Sequence, residues 1–116
     1  MHCIIFGYGY MGKIRYQALR RHSDVRAITV VDPHLDPSTA GIDGVFLPPG
    51  APIPWETIDA AFVCTPNHVT ASLCVEALRR CRHVFCEKPP GRSWEEFCQI
   101  AEAAATMTSH TLVFGF

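Results

Sequence analysis

Six residues near the amino end, Gly7-Tyr8-Gly9-Tyr10-Met11-Gly12, follow a short apolar run and open a segment with helical periodicity. A G-x-G-x-x-G loop in that setting presents backbone N–H groups and the positive end of a helix dipole, which together can seat a phosphate. Gly7 permits the tight turn, Gly9 lets a diphosphate approach the backbone, and Gly12 lets the helix lie close on the strand. Asp32 ends the next apolar run, 20 residues beyond Gly12. A carboxylate there can accept hydrogen bonds from ribose hydroxyls. Two more polar clusters end later apolar runs: Cys64-Thr65-Pro66-Asn67-His68 and Glu87-Lys88-Pro89-Pro90-Gly91. Two such strand-end clusters, the second with a Glu-Lys pair just before two prolines that fix the backbone, look like a built site.

The elements that must position these residues alternate in period. Cys3-Ile4-Ile5-Phe6, Ala27-Ile28-Thr29-Val30-Val31, Ala60-Ala61-Phe62-Val63-Cys64, Val84-Phe85-Cys86 and Leu112-Val113-Phe114 are short, uncharged apolar runs. Continuous rather than alternating hydrophobicity predicts strands covered on both faces, as in a parallel sheet. Between them, Met11, Ile14, Ala18 and Leu19 mark one face of a first helix, and Ala71, Cys74, Val75, Leu78 and Cys81 that of a second. Trp94, Phe97, Cys98, Ala101, Ala104 and Ala105 mark a third, opened by Ser93 with Glu96 three residues on, a capping-box signature. The fold class is therefore α/β: a Rossmann-type, doubly wound parallel sheet of about six strands. Six of the nine prolines lie between Pro33 and Pro54, leaving room there for the short strand Gly44-Val45-Phe46-Leu47. The helix between strands 2 and 3 is accordingly shortened, to a turn near Pro37-Ser38-Thr39. In an open parallel sheet, ligands bind at the carboxyl ends of the strands, so the glycine loop and both polar clusters face one crevice.

The 116 residues, 48% hydrophobic and 18% charged, suit a single globular domain. A net charge of −1 gives no electrostatic case for nucleic acid. No apolar run approaches the roughly 18 residues of a membrane span, and the amino end lacks a signal-peptide pattern. The expected location is the cytoplasm. Cys3, Cys64, Cys74, Cys81, Cys86 and Cys98 contain no C-x-x-C spacing, and no H-x-x-x-H accompanies them. They read as free, mostly buried thiols in a reducing compartment, with no metal site. His2, His22, His83 and His110 read as ordinary surface or strand-edge residues.

Asp32 favours NAD as cofactor, because a carboxylate repels a 2′-phosphate and no arginine follows in Pro33-His34-Leu35; His34 leaves NADP open. Two plainer readings compete. The glycines could merely turn the chain while Asp32 caps a strand end, but loop, helix, both strands and the acidic residue agree. A methyltransferase using S-adenosylmethionine also carries a glycine-rich loop and an acidic residue after its second strand. The residues of the second half discriminate.

The glycine loop, Val31-Asp32, the stretch from Asp59 to His68 and His83-Val84-Phe85-Cys86-Glu87-Lys88-Pro89 together resemble the Gfo/Idh/MocA oxidoreductases. These are relatives of glucose–fructose oxidoreductase and inositol 2-dehydrogenase. The likeness covers nearly the whole chain but only that family's amino-terminal, NAD(P)-binding domain. It implies that Gly7, Tyr8, Gly9, Tyr10, Met11 and Gly12 surround the diphosphate and that Asp32 holds the adenosine ribose. It places Cys64, Thr65, Pro66, Asn67 and His68 along the cofactor, with Glu87 at the nicotinamide ribose and Pro89 beside it. Lys88 would stand between nicotinamide and substrate as the catalytic proton-exchanging group, and would itself touch the cofactor. The implied reaction is reversible oxidation of a sugar, polyol or related secondary alcohol to a ketone.

Three departures qualify the resemblance. Many members carry histidine where this chain has Thr70. The connection from Pro33 to Asp43 is short and rich in proline. The chain also stops in what reads as a sixth strand, Thr111-Leu112-Val113-Phe114-Gly115-Phe116, whereas the family continues into a substrate domain. Residues 1–116 are thus expected to form one dinucleotide-binding domain without that second domain, binding dinucleotide but catalysing poorly or not at all. Sugar or polyol would be the partner of a full-length form. A non-catalytic sensor or scaffold module, and the cofactor half of another dehydrogenase such as an amino-acid dehydrogenase, remain as alternatives. A pure sensor has no use for Lys88. The terminal edge strand predicts exposed apolar surface and homo-oligomer formation.

Overall fold

The β-branched and aromatic runs form strands because each finds a parallel neighbour; the central run Cys3–Phe6 is buried on both faces, whereas the two edge runs leave Val45 and Val113 exposed. A computed structural model describes residues 1–36, 38, 40–48 and 50–115. Its strands are β1 (His2–Phe6), β2 (Ala27–Val31), β3 (Val45–Leu47), β4 (Ala60–Val63), β5 (His83–Cys86) and β6 (Thr111–Phe114). The helices are α1 (Tyr10–Leu19), α2 (Asn67–Arg80) and α3 (Trp94–Ala105), with one 3-10 turn at Trp55–Thr57. The sheet runs β3-β2-β1-β4-β5-β6, all pairs parallel. Chain order reverses between β1 and β4, which makes that junction the switch point of a Rossmann fold. Between β2 and β3 the described residues form turns, and Pro37 and Thr39 of the turn expected there lie outside them, as does Phe116 after β6.

The two-residue period of β1 divides the core. Ile4 and Phe6 face α2 and α3 among Val63, Cys74, Leu78 and Ile100, whereas Ile5 faces Tyr16, Ile28 and Val30 on the α1 side. Register sets the strand ends abreast: Phe6 pairs with Val31 and Val63, Val63 with Cys86, and Cys86 with Phe114. Every chemically interesting loop therefore leaves the sheet at one level.

Two helices are rotated partly away from the face their apolar residues mark, although Leu19 of α1 and Phe97 and Ala104 of α3 keep their place against the core. In α1, Ile14 is 40% exposed and Ala18 is exposed, while Gly12 and Tyr16 are buried. Close packing of Gly12 on the strand end fixes the rotation, and Tyr16, one turn on, follows it inward. The buried Tyr16 hydroxyl is satisfied by accepting the Asp43 N–H at 2.6 Å. In α3, Ala101 and Ala105 are exposed and Trp94 is 71% exposed, because the inward stripe runs through Phe97, Ile100 and Ala103. Trp94 instead stacks on Phe97 with ring centroids 5.4 Å apart.

Half of the capping box forms. Ser93 Oγ accepts the Glu96 N–H at 3.3 Å, but the Glu96 carboxylate accepts the N–H of Arg92 at 2.6 Å rather than that of Ser93. Cys3, Cys74, Cys81 and Cys86 are buried free thiols, with Cys64 and Cys98 half-buried. No helix among the described residues is long and apolar enough to cross a membrane.

Candidate functional site

Four residues extend the ladder by one step past the strands. Gly7 donates its N–H to Val31 O at 2.9 Å, Cys64 to Phe6 O at 2.8 Å, Glu87 to Val63 O at 2.9 Å and Gly115 to Cys86 O at 2.8 Å. The site is built on this row. Gly7 turns the chain with φ +87°, and a Cβ there would stand 2.6 Å from Cys64 O, so a side chain is excluded twice over. A Cβ on Gly12 would collide with the Gly7 carbonyl oxygen. Around Gly9 nothing lies within 4 Å of the Cβ position, which opens that backbone to a ligand.

Helix α1 begins after Gly9 with no side-chain cap and no acidic residue in its first turn. Its leading N–H groups, beyond the reach of intrahelical carbonyls, stay open to an anion. They border a cavity of about 510 Å³ lined by Gly7, Gly9, Tyr10, Met11, Asp32, Pro33, His34, Cys64, Thr65, Pro66, His68 and Val69. That volume suits a small ligand or much of a dinucleotide. Across it, Asp32 Oδ2 accepts the Tyr8 N–H at 2.7 Å and Oδ1 accepts the His34 N–H at 2.8 Å. Each oxygen keeps a lone pair, so a fixed carboxylate can still accept from a diol.

The remaining candidates sit around this cavity rather than in its wall. Tyr8 is buried beneath the loop, edge-on to Tyr16 with centroids 5.6 Å apart, and burial raises its phenol pKa. Gly12 is buried against β1, and Asn67 is exposed at the first position of α2. Glu87 is buried, whereas Lys88 and Pro89 are exposed beyond β5, joined by a cis peptide bond. Burial, then the Glu87 charge, pushes the Cys64 thiol up to about 12. Cys64 is thus a neutral wall group near pH 7 and no nucleophile. Thr70 is buried and donates to Thr65 O and Pro66 O, 3.0 and 3.1 Å away, closing the first turn of α2. Among the described residues no group of three His, Cys, Asp or Glu side chains could hold a metal ion.

Pro33, Val69 and Arg15 also border the site or its supports, and none stands out in the sequence. Arg15 had a local signal only in hindsight: three residues after Gly12, it shares the inward face of α1 and is a charge that needs a partner there. That partner, Glu87, is 72 residues away.

A parallel sheet in this order, with a glycine loop and an acidic residue at its switch point, defines a dinucleotide-binding Rossmann domain. Residues 1–115 match the model of an oxidoreductase family with an NAD-binding Rossmann fold, and the chain belongs to that family, Gfo/Idh/MocA. A curated relative, the uncharacterized oxidoreductase YrbE of Bacillus subtilis, is 33% identical over 97% of this chain and 34% of its own length. The 2,7-anhydro-N-acetylneuraminate hydratase of Escherichia coli is 26% identical over 85% of this chain and 27% of its own length. A crystal structure of a putative myo-inositol dehydrogenase from Sinorhizobium meliloti superposes with TM-score 0.81 at 22% identity, covering 99% of this chain and 36% of that one. The chain spans 27% to 36% of the length of these relatives.

Proposed function

We propose that this chain is the cofactor half of an oxidoreductase that moves a hydride between a nicotinamide dinucleotide and a sugar, polyol or related secondary alcohol. The observation that carries the reading is the uncapped amino end of α1, which opens with Gly9 onto the 510 Å³ cavity opposite Asp32. The diphosphate rests on the leading N–H groups of α1, and Asp32 accepts from the adenosine ribose. Thr65, Pro66, Asn67 and His68 flank the cofactor at the end of β4, and Glu87 receives the nicotinamide ribose. Bound here, the nicotinamide supplies the hydride acceptor. Lys88 exchanges the proton of the reacting oxygen, a role that its exposed ammonium suits once substrate and cofactor cover it.

NAD is preferred over NADP, since Asp32 disfavours a 2′-phosphate. The alcohol class rests on the inositol dehydrogenase neighbour. The hydratase relative favours a second reading in which the same cofactor half serves a reaction adding water to a sugar derivative. Six free thiols fit a cytoplasmic setting. Val113, 49% exposed on edge strand β6, favours association of copies or covering by further protein.

Titration with NADH and NADPH tests the reading. Asp32→Ala is expected to weaken NADH by about 1–3 kcal/mol, the scale of lost charge-assisted hydrogen bonds. Asp32→Asn keeps the side-chain shape but has one oxygen in place of two, so it can accept from only one of the Tyr8 and His34 N–H groups; with the charge gone it should narrow the gap between the two nucleotides. Equal binding of both nucleotides by all three proteins would remove Asp32 from the account.

A further inference from the structure

One part-buried ion pair stands at the sheet end beside Lys88. Glu87 is 8% exposed, and its Oε1 accepts from Arg15 Nε at 2.7 Å and Nη2 at 2.6 Å. The guanidinium carbon lies 4.4 Å from the centre of the Phe85 ring, so an aromatic from β5 carries the flat cation on its face. Glu87 Oε2 has no hydrogen-bond partner among the described residues, and it lies over Gly115. A Cβ on Gly115 would stand 2.6 Å from Oε2 and 2.9 Å from Phe85 Cζ. One carboxylate is thus bonded from α1 through Oε1, while Oε2 lies close over Gly115 at the end of β6.

Without the Arg15 fork nothing among the described residues would hold Oε1, and the carboxylate would be free to turn toward solvent. Arg15 also belongs to α1, the helix whose amino end seats the diphosphate. The pair therefore ties the phosphate end of the site to the residue that precedes Lys88.

We infer that Arg15 is a positioning residue: it holds the Glu87 carboxylate in one orientation, so that Oε2 is the acceptor for the nicotinamide ribose and Lys88 leaves β5 in a fixed direction. The inference rests on the reading above that Glu87 faces that ribose. It separates the two halves of the cofactor, since ADP engages only the glycine loop and Asp32 while NADH also reaches Glu87.

Calorimetric titration of the 116-residue chain with ADP and with NADH tests it, using Arg15→Met, Arg15→Lys, Glu87→Gln and the double variant Arg15→Met/Glu87→Gln. Arg15→Met should weaken NADH roughly tenfold or more, the scale of one lost charged hydrogen bond, with ADP held within about twofold. Arg15→Lys should recover part of the loss, and Arg15→Met should add nothing on the Glu87→Gln background. If circular dichroism shows Arg15→Met unfolded, Arg15→Lys and Glu87→Gln carry the test, each expected to lose NADH affinity selectively. ADP and NADH weakening in step, or additive effects of the two substitutions, would overturn the positioning role. A wild-type chain that binds ADP but shows no preference for NADH would overturn it too. A wild-type chain that binds neither nucleotide overturns the dinucleotide reading itself, and this inference with it.

Discussion

Replacing Gly12 by alanine is expected to lower the unfolding free energy by about 3 kcal/mol or more, the range of an overpacked core position. The added Cβ collides with the Gly7 carbonyl oxygen and stands 2.9 Å from Gly7 C, with Ile5 Cγ2 at 3.8 Å on the far side. Backbone cannot swing aside as a long side chain can. Gly7 is further pinned, because its N–H is bonded to Val31 O at 2.9 Å and its φ of +87° closes the turn. Relief must come from lifting α1 off the sheet, which strips Tyr16 from its contacts with the α1-side core. Gly9→Ala makes the informative contrast. Its Cβ meets nothing, so stability should change by less than about 1 kcal/mol, the scale of N-cap substitutions, while the approach of a diphosphate is blocked. Thermal unfolding reads both: Gly12→Ala should melt roughly 10 °C or more below wild type and Gly9→Ala within a few degrees of it. Equal melting of Gly12→Ala and wild type would show that the loop packs otherwise.

A second large effect should appear at alkaline pH. Burial pushes the thiols of Cys3 and Cys81 up to about 11 and that of Cys64 up to about 12. The unfolded chain ionises these groups near the ordinary thiol value of about 9, and the folded chain does so only well above it. Stabilisation from the neutral thiols is therefore complete below about pH 9 and is lost as the pH climbs toward the folded values. By pH 11 the loss is about 2 kcal/mol per thiol, enough for three to unfold a domain of this size. Urea midpoints should stay level from pH 7 to 8.5 and then fall steeply. Cys64→Ala should flatten part of that fall. A midpoint indifferent to pH up to 11, or an unchanged slope in Cys64→Ala, would contradict the assignment.

The strand plan was legible because short apolar runs recur between helical segments, the rhythm of a parallel α/β sheet; the expected cover on both faces fails at β6, where Val113 is exposed. The cavity-wall candidates were legible for a related reason: Gly7, Gly9, Asp32, Cys64 and Thr65 each stand in or just after a strand-terminal position, and parallel register sets those ends level. Helix faces were less readable. Apolar periodicity in α1 marks Ile14 and Ala18, yet packing is decided by Gly12, a residue with no side chain to register in such a pattern. Tyr16 is buried with its hydroxyl satisfied by Asp43 N–H, in the connection ahead of β3, a partner that spacing within the helix cannot reveal. Arg15 and its pairing with Glu87 escaped for the same cause, since that pairing spans 72 residues and closes only when β5 lies in place. The 3-10 turn at Trp55–Thr57 was hidden in the proline-rich stretch, where propensity rules out long elements without specifying short ones.

The most direct test of the central claim is a crystal of this chain soaked with NADH. The account predicts phosphorus density against the backbone N–H groups of Tyr10 and Met11, the adenosine ribose within hydrogen-bonding distance of Asp32, and the nicotinamide pointing toward Lys88. A dinucleotide bound elsewhere, for instance in the groove between α2 and α3 beside Arg79 and Glu102, with the end of α1 bare, would contradict it.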